Sequence, residues 1–151
     1  VRHARRAAAV AVLALAGCGG PLVMRFDAGE KLNQVPKTPP ENTPVTVMVF
    51  LLKDKASFNN ASAEQLWTKE KAKAVLGADQ VGEARETTIN ASDKGVKVDL
   101  GAVPADVRYI GVMAKMPKQD PPVQRHIAVP KDEADDYPFE LVDYKIEFKK
   151  K

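Results

Sequence analysis

Apolar and polar residues alternate with a period of two over several stretches of this chain. Val96, Val98 and Leu100 alternate with Lys97 and Asp99, and Tyr144, Ile146 and Phe148 alternate with Lys145, Glu147 and Lys149. Successive side chains of a strand point to opposite faces, so these stretches predict strands with one wet face. Val45 to Leu52 reads Val-Thr-Val-Met-Val-Phe-Leu-Leu, apolar on both alternating faces, which predicts a central strand covered on each side. Leu22 to Ala28 predicts a first strand, Arg108 to Met116 another largely buried one, and His126 to Val129 a shorter one after Pro121 and Pro122. Gln80 to Thr88 and Phe139 to Leu141 are weaker strand candidates. Between the first two strands, Leu32 to Pro44 holds Pro36, Pro39, Pro40 and Pro44, which block regular ladders and predict a long loop.

The period changes once, between the second strand and the third. Ser62-x-x-Gln65 fits a capping box, Thr68 opens a second short helix through Leu76, and Gly77 is a natural stop, giving a helical insert at about 57–77. Phe58, Leu66, Trp67, Val75 and Leu76 supply its apolar side, and Lys69, Glu70, Lys71 and Lys73 a solvated face. Seven or eight short strands separated by turn residues predict a mainly β fold, an antiparallel β-sandwich with the helices at one edge or end.

The N-terminus follows a different rule. Arg2, His3, Arg5 and Arg6 precede the apolar run Ala7 to Ala16, which is too short to cross a bilayer and reads as a signal peptide over residues 1–17. Leu15-Ala16-Gly17-Cys18 matches the bacterial lipobox, and Cys18 is the only cysteine of the 151 residues. The expected product carries covalent diacylglyceryl and N-acyl groups on Cys18, a lipidated tether over 18–21, and a sandwich domain from 22 to 151. Several acyl chains hold a protein on a membrane far more firmly than one. Cleavage also removes three arginines, leaving 20 basic against 20 acidic residues. The formal charge of +3 and the pI near 9.0 therefore belong to the leader. No basic stripe remains to displace counterions from phosphates, so no nucleic-acid partner is expected.

Candidate chemistry is sparse. His126 is the only histidine after Cys18, and an acylated cysteine leaves no His/Cys set for zinc. No spacing places a hydroxyl and a carboxylate beside His126, so a solvent-facing or hydrogen-bonded strand histidine is expected, not a general base. Asp132, Glu133, Asp135 and Asp136 lack the ligand order and central glycine of a calcium loop and read as a solvated acidic turn. Gly17, Gly19 and Gly20 flank the cleavage site without a strand-to-helix turn, so they form no phosphate cradle. Trp67 beside Leu66 reads as core, and the Lys149-Lys150-Lys151 tail as a hydrated terminus. The chain is read as non-catalytic and free of any metal or cofactor.

In order along the chain stand the lipobox, Pro44-Val-Thr-Val-Met-Val-Phe-Leu-Leu-Lys53, Phe58-x-x-Ala61 with Leu66, Leu76-Gly-Ala-Asp79, Val81-Gly82 and Arg108-Tyr-Ile-Gly-Val-Met-Ala114. Together they resemble the type VI secretion outer-membrane lipoprotein family, TssJ or SciN. One departure is Val123-Gln-Arg125, where the family commonly shows Trp-Arg. The resemblance implies a transthyretin-like β-sandwich with added helices, lipid-anchored to the periplasmic face of the outer membrane. It also implies a partner, the periplasmic C-terminal region of the IcmF-like inner-membrane subunit TssM. The family's partner-binding loop corresponds to about Lys31 to Pro44, with Asn33, Gln34, Val35, Lys37, Glu41 and Asn42 as the expected contact surface. A stiff, proline-rich loop loses less entropy when ordered against a partner. Two other classes stay open: a periplasmic lipoprotein that binds a small ligand in a concave apolar pocket, and a cell-wall hydrolase.

Overall fold

A computed structural model of the protein describes residues 21–150. The signal peptide and Cys18 lie outside the described residues.

The first strand, β1 (Leu22–Ala28), buries Leu22, Met24, Phe26 and Ala28 on one face and turns Val23, Arg25 and Asp27 outward. The chain then makes two short strands, β2 (Gln34–Val35) and β3 (Glu41–Asn42), before entering β4 (Val45–Leu52). Two helices, α1 (Ala56–Asn60) and α2 (Lys69–Leu76), and a 3-10 turn at Gly77–Asp79 lead to β5 (Gln80–Ile89). Next come β6 (Val96–Gly101), β7 (Tyr109–Ala114), β8 (His126–Pro130), α3 (Lys131–Asp136), β9 (Phe139–Val142) and β10 (Lys145–Phe148).

Two four-stranded sheets, β10-β9-β1-β6 and β5-β4-β7-β8, pack face to face. Their shared core joins Met24, Phe26, Phe139, Leu141 and Ile146 to Val45, Val47, Val49, Ile110 and Val112, all buried. The pairs are antiparallel except β1 with β9, which run parallel with Phe26 opposite Phe139. The two rings stack with centroids 5.5 Å apart. Arg85 on the edge strand β5 donates to the carbonyls of Asp99 and, at 3.0 Å, Leu100 on the other sheet's edge strand β6. Acceptors that would otherwise stand free on an exposed edge are thereby occupied.

The insert differs from the edge or end position expected of it: it covers the outer face of the second sheet. Both faces of β4 are apolar, and the structure uses both. Val45, Val47 and Val49 enter the sandwich, while Met48, Phe50 and Leu52 form a second core with Phe58, Leu66, Ala72, Leu76, Ala84 and Met113. Phe58 lies on Gly111 of β7, where an added Cβ would come within 2.8 Å of the ring. The Ser62 and Gln65 box forms, with the Ser62 N–H donating to Gln65 Oε1 at 2.8 Å and the Gln65 N–H to Ser62 Oγ at 3.2 Å. It closes a turn, however, and the preceding helix is α1. Thr68 caps α2, its hydroxyl accepting from the Lys71 N–H at 3.3 Å, and Gly77 ends the helix at φ 53°. That left-handed value favours glycine.

Two further segments depart from expectation. The acidic run is helix α3, not a turn: Asp132 and Glu133 fall in its first turn, where the helix dipole favours negative charge, and Ala134 is buried. The proline-rich Leu32 to Pro44 loop contains the β2–β3 hairpin, with Gln34 opposite Asn42 and Val35 opposite Glu41. Its prolines sit in exposed positions outside that pairing, so they block nothing.

Candidate functional site

The hairpin hangs from the end of β1 farthest from the N-terminus. Seven residues of strand separate the two, about 23 Å at about 3.3 Å per residue. Its base is fastened to the β9–β10 turn. The Asn33 N–H donates to the Asp143 carbonyl at 2.7 Å, and the Tyr144 hydroxyl donates to the Gln34 carbonyl. Asn33 takes a left-handed φ of 47°, which asparagine tolerates, and its Nδ2 donates to the Thr43 carbonyl at 3.2 Å. The Asn42 amide reaches back to the Glu30 carbonyl at 2.8 Å, and Gln34 Nε2 donates to Asn42 Oδ1 at 3.3 Å. At the tip, Lys37 Nζ and Glu41 Oε2 pair at 2.6 Å, both largely in water.

The six residues expected to form a contact surface therefore separate. Lys37, Glu41 and Asn42 are exposed, Gln34 and Val35 are half-buried, and Asn33 is 8% exposed. Asn33 differs from the expectation for a physical reason: its side chain is spent inside the hairpin, where it sets the turn and offers no outward surface. Tyr144 and Asp143, which fix the hairpin from another strand pair, carry no local sequence signal that would reveal this role.

A second feature is a groove of about 590 Å³ between the insert and β8, lined among others by Asn59, Glu64, Lys118, Arg125, His126 and Ala128. Arg125, where the family pattern is broken, organises it. The side chain is nearly buried, donating through one guanidinium nitrogen to the Met116 carbonyl at 3.1 Å and through the other to Glu64 Oε1 at 2.7 Å. That charge-assisted bond holds the Glu64 carboxyl below its usual range. It also ties the insert to the loop before β8. His126 packs edge-on to Phe58 at 5.5 Å, and burial pushes its imidazole down, with the Asn59 backbone partly offsetting the effect. His126, expected to face solvent or hydrogen-bond, is half-buried and packs against the insert. Trp67 is half-buried against the second core.

At the C-terminus Glu147 is held between Lys145 and Lys149, at 2.5 and 2.7 Å, which pushes its pKa down to about 2. Lys150 pairs with Glu133 of α3 at 2.6 Å, so Lys149 and Lys150 both engage carboxylates. Among the described residues, no cluster of three or more His, Cys, Asp or Glu side chains is placed to hold a metal ion.

Several solved structures share this fold. The Serratia marcescens Lip protein, a membrane-bound component of the type VI secretion system, superposes with a TM-score of 0.72 at 21% identity, over 87% of this chain and 98% of that one. The Pseudomonas aeruginosa T6SS lipoprotein TssJ1 gives 0.69 at 17% identity, over 86% and 95%. A chain in the structure of the T6SS protein TssM C-terminal domain (869-1107) from EAEC gives 0.68 at 21% identity, over 87% and 99%. No curated protein matches the sequence. The family described as "Type VI secretion lipoprotein, VasD, EvfM, TssJ, VC_A0113" matches residues 21–149, nearly the whole of the described domain. The chain belongs to that family, whose members are structural and not enzymatic components of type VI secretion.

Proposed function

We propose that this chain is an outer-membrane lipoprotein, acylated on Cys18, that holds the periplasmic C-terminal region of a TssM-like inner-membrane subunit through its 31–44 hairpin. The observation that carries this reading is the position of β1. Cys18 precedes Leu22 by four residues, at most about 14 Å of chain, so the membrane attachment pulls on the first residue of β1. The hairpin leaves its last. Between them β1 is an interior strand, paired with β6 on one side and β9 on the other, with four side chains in the core. Force applied at the two ends is therefore borne by ladders on both edges of β1. A transthyretin-like sandwich with added helices suits that role, since the load is spread through two packed sheets.

The TssM partner is supported by the family and by the presence of a chain of this fold, and of about this length, in a structure of the TssM C-terminal domain. The contact surface is the outward hairpin: Lys37, Glu41 and Asn42, with Gln34 and Val35 beside them. The small-ligand reading asks for an apolar pocket. The 590 Å³ groove is not dominantly apolar: beside Val123, Ile127 and Ala128 its lining carries Glu64, Lys118, Arg125 and His126.

Co-purification tests the hairpin. Lys37→Glu with Glu41→Lys keeps the ion pair and the fold while reversing both charges shown to the partner, and it is expected to weaken TssM capture at least tenfold. Undiminished capture by that variant, and by one in which 36–40 is replaced with glycine and serine, contradicts the reading.

A further inference from the structure

Among the described residues, β8 is an edge strand, paired with β7 alone. The Ala114 N–H donates to the Arg125 carbonyl at 2.8 Å, so the backbone groups of Arg125, Ile127 and Val129 face β7. By the alternation of an antiparallel ladder, those of Gln124, His126 and Ala128 point the other way. The Gln124 carbonyl is taken by the Ile146 N–H at 2.8 Å. Beyond it the outward edge at His126 and Ala128 borders the 590 Å³ groove, whose lining includes both residues. A free strand edge beside a groove is the geometry in which an extended peptide adds to a sheet.

The charge of the groove is one-sided. It continues past Glu64, Lys118 and Arg125 into a second depression of about 310 Å³ walled by Trp67, Lys71 and Pro117. Three cations, Lys71, Lys118 and Arg125, thus stand against one carboxylate, Glu64, which Arg125 already holds at 2.7 Å. Lys71 and Lys118 pair with no carboxylate among the described residues.

We propose that this groove receives an extended acidic segment of a partner protein, which pairs with the His126–Ala128 edge, sets its carboxylates against Lys118 and Lys71, and lies along Trp67. The segment is extended because the edge offers alternate donors and acceptors at strand spacing, and acidic because the unpaired charges are lysines. The site is separate from the hairpin and stands whether or not the hairpin binds TssM.

Trp67 is the only tryptophan, so its emission reports occupancy directly. The mature protein, from Cys18 to Lys151, is titrated in detergent with an acetylated decapeptide of alternating Glu and Val, and with its Lys and Val counterpart. The expected result is a saturable, salt-sensitive shift in Trp67 emission with the acidic peptide alone, with slowed amide exchange over residues 123–130. Lys71→Glu with Lys118→Glu is expected to weaken binding at least tenfold. Both lysines are exposed, and an unchanged circular dichroism spectrum and melting temperature certify the fold. Lys37→Glu in the hairpin leaves this binding unchanged. An equal response to the basic peptide, no response to either, undiminished binding by the double variant, or slowed exchange confined to the hairpin would each overturn the proposal.

Discussion

Replacing Gly111 with alanine probes the seam between the sheet and the insert. The new Cβ would lie 2.8 Å from Phe58 Cε2, 2.9 Å from Cζ and 3.0 Å from Leu52 Cδ1. Carbon atoms rest at about 3.5–4.0 Å, so the ring has to retreat by about 0.7 Å or more. It has little room to do so. Phe58 is fully buried, with the Phe50 ring at 5.4 Å and the His126 ring at 5.5 Å. Overpacking of this kind costs about 1–3 kcal/mol. Truncating the ring instead, Phe58→Ala, empties the same space and costs about 3–5 kcal/mol. The two changes are expected to be strongly coupled. With the ring gone, the methyl of Gly111→Ala meets only Leu52 Cδ1 at 3.0 Å, the end of a side chain that can turn into the vacated space, and because glycine inside a strand is itself unfavourable by about 0.5–1 kcal/mol, the second substitution turns neutral or stabilising. Urea unfolding of all four combinations, followed by Trp67 emission for the insert and far-ultraviolet circular dichroism for the sheets, measures this. If Gly111→Ala costs the same with and without the ring, Phe58 is not what fills the space above β7, and the packing of the insert is wrongly described.

Two pH effects follow from the groove. Glu64 has a lowered folded pKa through its bond to Arg125, so its stabilising effect is complete above about pH 4.3 and is lost as pH falls through the folded value; Glu64→Gln is expected to flatten that acid limb of the urea midpoint. Arg125→Met leaves the Met116 carbonyl without its donor and is expected to cost about 1–3 kcal/mol, more than Glu64→Gln costs at neutral pH. His126 is also lowered, by burial. The unfolded chain therefore binds its proton first on acidification, and stability is expected to fall from about pH 6.5 downward, a slope that His126→Asn removes.

How much of this was legible in the sequence depends on how local each feature is. β1 and β4 carry their own periodicity, and both stand where the alternation puts them, Leu22–Ala28 and Val45–Leu52. The position of the insert was written in the same place, because Met48, Phe50 and Leu52 need a cover that a second sheet cannot provide. Helix α3 had a usable signal as well: Pro130 followed by Asp132 and Glu133 is a good helix start, though four carboxylates in five residues look like a turn. The parallel pairing of β1 with β9 had none, since nothing in either strand specifies a partner more than a hundred residues away. The hairpin was hidden for a related reason. Its two-residue strands have no periodicity, and what holds them is Asn33, Asp143 and Tyr144 meeting across the fold. The groove needed Glu64 of the insert and Arg125 before β8, 61 residues apart, brought together.

The central claim is that one end of β1 is fixed to the outer membrane while the other holds TssM. Its most direct measure is the fraction of the TssM periplasmic region that sediments with outer-membrane vesicles, compared between the natural chain and Cys18→Ser. The account predicts that TssM follows the natural chain into the vesicle pellet and, with Cys18→Ser, stays in the supernatant bound to the unanchored sandwich. Equal sedimentation of TssM with both chains would contradict it.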